Sequence, residues 1–210
     1  MTINEALNWR YATKRMTGKV VPENIVNKIM ESIHLSPSSF GFQPYEIFVI
    51  SNQDMKSKIQ LLAFNQAQIV ESSHLLVFVA WDRYTEERID KAVDFQVSQK
   101  GLSEADAITQ KNIAKNFFRE KSDDFHFSHA VKQSSIALGI ALLTAALEAV
   151  DASPMEGFNP VALDEFLDLK VKGLRSTTLL ALGYRDEEND WNYKLNKARK
   201  PLDELMTKII

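Results

Sequence analysis

Between Ile136 and Leu147 the chain is almost uninterruptedly apolar, and the wider stretch from His129 to Val150 reads as one long helix. A bilayer span needs about 20 apolar residues. The Ile136–Leu147 stretch falls short of that, so the helix must find its apolar surroundings inside protein. Ala137, Gly139, Ala141, Ala145 and Ala146 give it many small side chains, which permit close approach by neighbouring elements. That suits a central core helix, and equally a helix shared with a second copy of the chain.

The rest of the sequence supplies layers to surround it. Thr2 and Glu5 have the spacing of a capping box ahead of a short helix over 3–10. Pro22-Glu23 opens a second helix, in which Ile25, Ile29 and Ile33 recur as one stripe. It ends near Ser36, because Pro37 disfavours helical geometry in the residue before it. Tyr45 to Ser51 is rich in β-branched and aromatic residues and reads as a strand. Leu75 to Trp81 is a continuous apolar run, as in a central strand covered on both faces. Ser176 to Leu182 is a third buried strand. Met55 to Ala63 and Gln66 to Val70 read as helical, 86–98 and 104–120 as charged surface helices, and Glu165 lies near the end of a further short helix.

Strands alternating with helices predict an α+β or α/β layered domain. Residues 1–210 read as one domain without repeat or linker. The charged 83–126 region is an excursion from the core, and 201–210 is a C-terminal arm with an amphipathic ending at Leu205-Met206 and Ile209-Ile210.

Charge and composition narrow the function classes. Net charge is −3 with both signs interspersed, so there is no clustered basic face for nucleic acid or a membrane surface. Cysteine is absent, which excludes disulfides, thiolate nucleophiles and zinc–thiolate sites. Met1 to Arg15 holds no apolar run of the signal-peptide kind, so the expectation is a soluble cytoplasmic protein. His126 and His129 lie three apart, near Asp123 and Glu120, but without the H-E-x-x-H context of a metal site; no metal is assigned. No G-x-S-x-G nucleophile signature and no glycine-rich phosphate loop occurs.

Four short motifs remain: Arg10-Tyr11-Ala12-Thr13-Lys14, Ser36-Pro37-Ser38-Ser39-Phe40-Gly41-Phe42-Gln43-Pro44, Pro154-Met155-Glu156-Gly157 and Lys197-Ala198-Arg199. Taken singly, each cation reads as a solvated charge and each loop as an ordinary turn. Together they place cations at both ends of the chain and rigid polar loops between. Such a set can hold a phosphorylated, ring-bearing ligand, because arginine offers a phosphate two parallel charge-assisted hydrogen bonds.

The arrangement resembles the FMN-dependent nitroreductase family, from about Ala6 to about Pro201. The resemblance implies an α+β nitroreductase-like fold, with a mainly antiparallel central sheet flanked by helices, in an intertwined homodimer that holds two flavins at its interface. It implies that Arg10, Lys197 and Arg199 meet the FMN phosphate, with Tyr11, Ala12 and Lys14 beside them. Pro37, Ser38, Ser39 and Gln43 line the isoalloxazine and ribityl chain. Asn65 and Gln68, three apart on a helical segment and so on one face, lie along the pyrimidine edge. Gln68 stands where a lysine is common, Gly41 where Asn is common, and Tyr45 where Trp is common. Pro154, Met155, Glu156 and Gly157 form a loop whose Glu156 and Gly157 N–H groups face flavin N5 and O4. Phe118, with Phe117 beside it, is the candidate from the excursion for the acceptor pocket.

The implied activity is ping-pong reduction of a small planar acceptor, a nitroaromatic or quinone, at the expense of NADH or NADPH, with the cofactor performing the hard step. Within the family, flavin reduction, dehalogenation and flavin fragmentation are rival activities. Outside enzymes, a flavin-binding redox sensor and a structural dimer with a lost site are the alternatives. The retained Arg10, Lys14, Lys197 and Arg199 speak against the last.

Overall fold

The computed structural model describes residues 1–209; Ile210, at the end of the arm, lies outside the described residues. The centre is a sheet of β1 (Tyr45–Ile50), β2 (His74–Trp81), β3 (Asp151–Met155) and β4 (Leu174–Gly183). Its order is β1-β2-β4-β3 and every pairing is antiparallel. The α+β expectation therefore holds over α/β. β2 and β4 are the inner strands. Leu75, Val77 and Val79 of β2 enter one core, while Leu76 and Phe78 enter the other. This is why the run carries no polar alternation: helices cover both faces.

On the first face pack α3 (Gln53–Leu62), α4 (Ala67–Glu71) and α8 (Pro160–Phe166), which contribute Ile59, Ile69 and Leu163. On the second face pack α2 (Glu23–His34) and α7 (Asp123–Leu147). The α2 stripe is Val26, Ile29 and Ile33, with Ile25 only partly covered. Ala137, Ala141 and Ala145 of α7 are fully buried against it, so the small side chains serve close helix packing within the chain. The opposite side of α7 exposes Ile136 and Leu147, and a side chain at Gly139 would meet nothing.

Two elements differ from the sequence reading. α7 starts at Asp123 rather than His129, capped by the Ser122 hydroxyl, which accepts from the Phe125 N–H at 3.2 Å. At 25 residues it meets the length and hydropathy of a membrane span, yet it packs against α2, α1 (Ile3–Trp9) and the sheet. The third strand in chain order is β3, which Asp, Ser and Pro had concealed. It is an edge strand, where the N–H that Pro154 lacks costs no ladder bond.

The excursion is α5 (Glu86–Lys100) and α6 (Glu104–Phe118), closed over a small core of Tyr84, Ile89, Val93, Ala114 and Phe118 that includes Ala130 of α7. α1 has the expected capping box, Thr2 with Glu5. α9 (Leu202–Leu205) in the arm leaves Leu202, Leu205 and Met206 exposed.

Candidate functional site

After Trp9 the backbone leaves the helix, and Arg10 is already extended. The following segment, Tyr11 to Lys14, is held by two buried carboxylates that the sequence gave no reason to single out. Asp190 is 4% exposed. It accepts from the Tyr11 hydroxyl and the Lys14 N–H, both at 2.9 Å, and the neighbouring Asn192 side chain donates to the Ala12 carbonyl at 3.1 Å. Burial, followed by this bond, pushes the Tyr11 hydroxyl well above the usual tyrosine range. Asp151, 2% exposed, accepts from Thr13 at 3.3 Å and takes a two-pronged ion pair from Arg185 at 2.6–3.0 Å. The Arg185 guanidinium also lies 4.1 Å from the Trp9 ring centre and 4.8 Å from that of Tyr11. Burial opposes its charge, but Asp151 outweighs burial and its pKa is raised.

These contacts frame a cavity of about 580 Å³ between the first helix and the C-terminal segment, lined by Arg10, Tyr11, Ala12, Arg185, Lys197 and Arg199 among others. Four cations reach it and they are not equivalent. Arg185 is neutralised by Asp151. The Lys197 ammonium donates to the carbonyls of Leu7, Asn8 and Arg10. These groups cluster at the C-terminal end of α1, where carbonyls lack helical partners and a cation is favoured. Lys197 thus returns to the first helix, and its three donors latch the segment in place instead of being left free for the phosphate that the resemblance implies. Arg10 is different: its Nε is buried and has no hydrogen-bond partner among the described residues. Burial, then the nearby Arg199, lowers its pKa. Among the described residues the Arg199 side chain bonds only the Ala198 carbonyl. Two guanidinium groups are thus brought together, and the carboxylate felt at Arg10, Asp151, is already paired with Arg185.

At the other end of this region, Pro154 and Met155 lie in β3, paired with Leu180 and Leu179; only Glu156 and Gly157 form the loop. Among the described residues neither the Glu156 nor the Gly157 N–H finds an acceptor. Gly157 has no left-handed φ, and an added Cβ would make ordinary contacts at 3.6 Å with Gln66 and 3.8 Å with Phe64. Asn65 and Gln68 do not share a helical face. Asn65 precedes α4 with φ 55° and is exposed. Gln68 is buried, and its amide donates to Gln66 Oε1 and Met155 Sδ, both at 3.2 Å.

The Pro37–Gln43 loop forms a separate group. Ser38 Oγ accepts from the Gln43 N–H at 2.9 Å, the Ser39 N–H donates to Gln133 at 2.7 Å, and the Gln43 amide donates to the His34 carbonyl at 2.8 Å. Next to it stands the aromatic cluster of the excursion. Phe118 is 1% exposed and stacks on Tyr84 at 3.9 Å, so it belongs to the excursion's own core; Phe117, 43% exposed, is the aromatic that faces out. His126 and His129 each bond Tyr84. No hydrogen bond or aromatic contact among the described residues joins this group to the Arg10–Arg199 group. One chain therefore carries the expected residues in two separate groups.

The model of the Nitroreductase family matches residues 7–184. The chain is 30% identical to the major NAD(P)H-flavin oxidoreductase of Aliivibrio fischeri, over 94% of each chain. It is 28% identical to the oxygen-insensitive NAD(P)H nitroreductase of Salmonella typhimurium, over 95% of this chain and 96% of the relative. A protein from Exiguobacterium sibiricum, assigned as a nitroreductase and solved in complex with FMN, shares the fold with TM-score 0.82 at 19% identity, covering 100% of this chain and 98% of that one.

Proposed function

The chain belongs to the nitroreductase family, and from that premise we propose that it is an FMN-dependent oxidoreductase that uses NAD(P)H to reduce small planar acceptors such as nitroaromatics or quinones. The observation that carries the cofactor is the buried, unpartnered Nε of Arg10 in a cavity shared with Arg199. A phosphate dianion would satisfy both. Bound FMN supplies hydride acceptance from the nicotinamide and delivery of the reducing equivalents to the second substrate.

The chain's own residues bind and orient. Arg10 and Arg199 hold the phosphate, with Lys14 close by along the same segment. Lys197, Asp190 and the Asp151–Arg185 pair hold the segments that carry them. The free N–H groups of Glu156 and Gly157 are donors for the N5 and O4 edge, and the exposed Asn65 serves the pyrimidine edge. Gln68 is turned toward Gln66 and Met155, so Lys14 is the cation that remains near the ring.

A second copy completes the site in this reading. The Pro37–Gln43 loop and Phe117 of one chain would face the Arg10–Arg199 group of the other, with the open side of α7 at Ile136, Gly139 and Leu147 as the contact. Free flavin is a second acceptor class, favoured by the name of the Aliivibrio relative. A cytoplasmic setting, where NAD(P)H is available, is part of the same reading.

The test is a visible spectrum of the purified protein, followed by NADH and then NADPH without oxygen. Flavin bands that bleach and return on adding a nitroaromatic or quinone support the proposal. Bands that never bleach favour a flavin-binding module, and a protein that takes up no FMN refutes the cofactor.

Gly157 offers an independent check. Nothing inside the chain requires glycine there, so Gly157→Ala is expected to melt within about 2 °C of wild type. FMN binding should nevertheless weaken about tenfold, because the methyl group intrudes where the ring must approach the backbone. A variant that melts much lower, or binds FMN as tightly as wild type, removes Gly157 from the site.

A further inference from the structure

Gly157 lies where that reading needs a fixed backbone, yet glycine has the least conformational restraint of its own. Two hydrogen bonds bracket it. The Phe158 N–H donates to the Glu156 carbonyl at 3.0 Å. This sets the plane of the Glu156–Gly157 peptide, and with it the direction of the Gly157 N–H. On the other side, the Gly157 carbonyl accepts from Gln66 Nε2 at 2.8 Å, which sets the next plane. Gln66 is itself oriented. Its second amide hydrogen goes to the Ala63 carbonyl at 3.2 Å, and its Oε1 accepts from Gln68. Gln68, 3% exposed, also reaches Met155 Sδ at 3.2 Å. The relay therefore starts at the last residue of β3 and returns to Gly157.

The loop that presents Gln66 is strained. Phe64 and Asn65 adopt φ of 53° and 55° in succession, a region that residues other than glycine rarely occupy. Phe64 is 73% exposed, so burial of its own side chain does not account for the conformation. Strain of this kind persists where the surroundings over-determine it, and such places are commonly functional.

We propose that Gln66, oriented by Gln68, is a positioning residue that fixes the Gly157 backbone and so aims the free N–H of Gly157 at an acceptor on the edge of a ligand ring. The proposal rests on the FMN reading for the identity of that ligand. Donors fixed beforehand need no ordering when the ligand arrives, which is where such a relay contributes. It also gives glutamine at position 68 a reason: its amide reaches Gln66 and Met155 together, so it acts within the protein.

The test is Gln66→Met, which keeps the chain length and removes both donors, with Gln68→Met as the milder companion. Four quantities are read: the amide exchange of Phe158 and the Gly157 nitrogen shift in FMN-free protein by NMR, FMN affinity by fluorescence quenching, and the melting temperature. For Gln66→Met, Phe158 exchange should quicken and the Gly157 signal move, with FMN bound about tenfold more weakly, the scale of one lost hydrogen bond, and melting close to wild type. Gln68→Met should shift the same quantities less, and it carries the test if Gln66→Met does not fold. Unchanged Gly157 and Phe158 signals overturn the proposal whatever happens to affinity, since Gln66 would then act on the ligand or not at all. Moved signals with unchanged affinity overturn it too. A wild-type protein that takes up no FMN sinks the functional reading instead, while the NMR signals still report whether the relay exists.

Discussion

Replacing Arg10 with alanine is expected to weaken FMN binding by about 10²–10³-fold while leaving the melting temperature of the FMN-free protein unchanged or slightly higher. The loss follows from two charge-assisted hydrogen bonds to phosphate, together about 3–4 kcal/mol. The stability side follows from what Arg10 lacks in the free protein. Its Nε is buried without an acceptor, and its pKa is lowered first by burial and then by Arg199. A group in that condition gives the fold little and pays for itself only when an anion arrives. Fluorescence-quench titration and a thermal melt on the same sample check both halves. Equal loss of affinity and stability would make Arg10 structural, and undiminished affinity would remove the phosphate from this cavity. Lys197→Met makes the contrast. Its donors cap the end of α1, so it should lower stability by about 1 kcal/mol and affect FMN only through the loosened segment.

That contrast between two cations lining one cavity could not be read from the sequence. Lys197 and Arg10 are both basic residues in matching motifs, and the difference lies in which carbonyls the folded chain brings within reach. The strongly periodic elements were legible for local reasons. Pro22 and Pro37 bracket α2, and the unbroken Leu75–Trp81 run has no explanation other than burial on both faces. β3 was hidden because an edge position tolerates Pro154, so composition argued against the strand that topology permits. The start of α7 was hidden because its first turn is acidic and aromatic, and Ser122 is one hydroxyl among many until its bond to Phe125 is seen.

The motif positions show the same division. Arg10, Glu156 and Gly157 lie in sequence motifs and carry donors that find no acceptor among the described residues. Asp151, Arg185, Asp190 and Gln66 did not stand out, because each acts on another residue of the chain rather than on a ligand. Such residues have no motif of their own: a carboxylate at the start of an edge strand resembles a surface charge. The shared helical face expected of Asn65 and Gln68 fails because Phe64 and Asn65 have positive φ and α4 begins only at Ala67.

The largest stability effect should come from Asp151→Asn. The mutation leaves the Arg185 guanidinium buried with one neutral acceptor in place of a carboxylate, and breaking one side of a buried pair costs about 3–5 kcal/mol. For a chain of this size that is a fall in melting temperature of about 10 °C. Asp151 raises the Arg185 pKa against burial that opposes it. Asp151 also accepts from Thr13 and from the Arg185 N–H, so the Tyr11–Lys14 segment should loosen and FMN affinity fall with stability. Arg185→Met added to Asp151→Asn should restore part of the melting temperature by removing the stranded charge. It should not restore FMN affinity, because the stacking of Arg185 between Trp9 and Tyr11 is lost as well. A double mutant no more stable than Asp151→Asn would mean that the backbone bonds of Asp151, and not its ion pair, carry the effect.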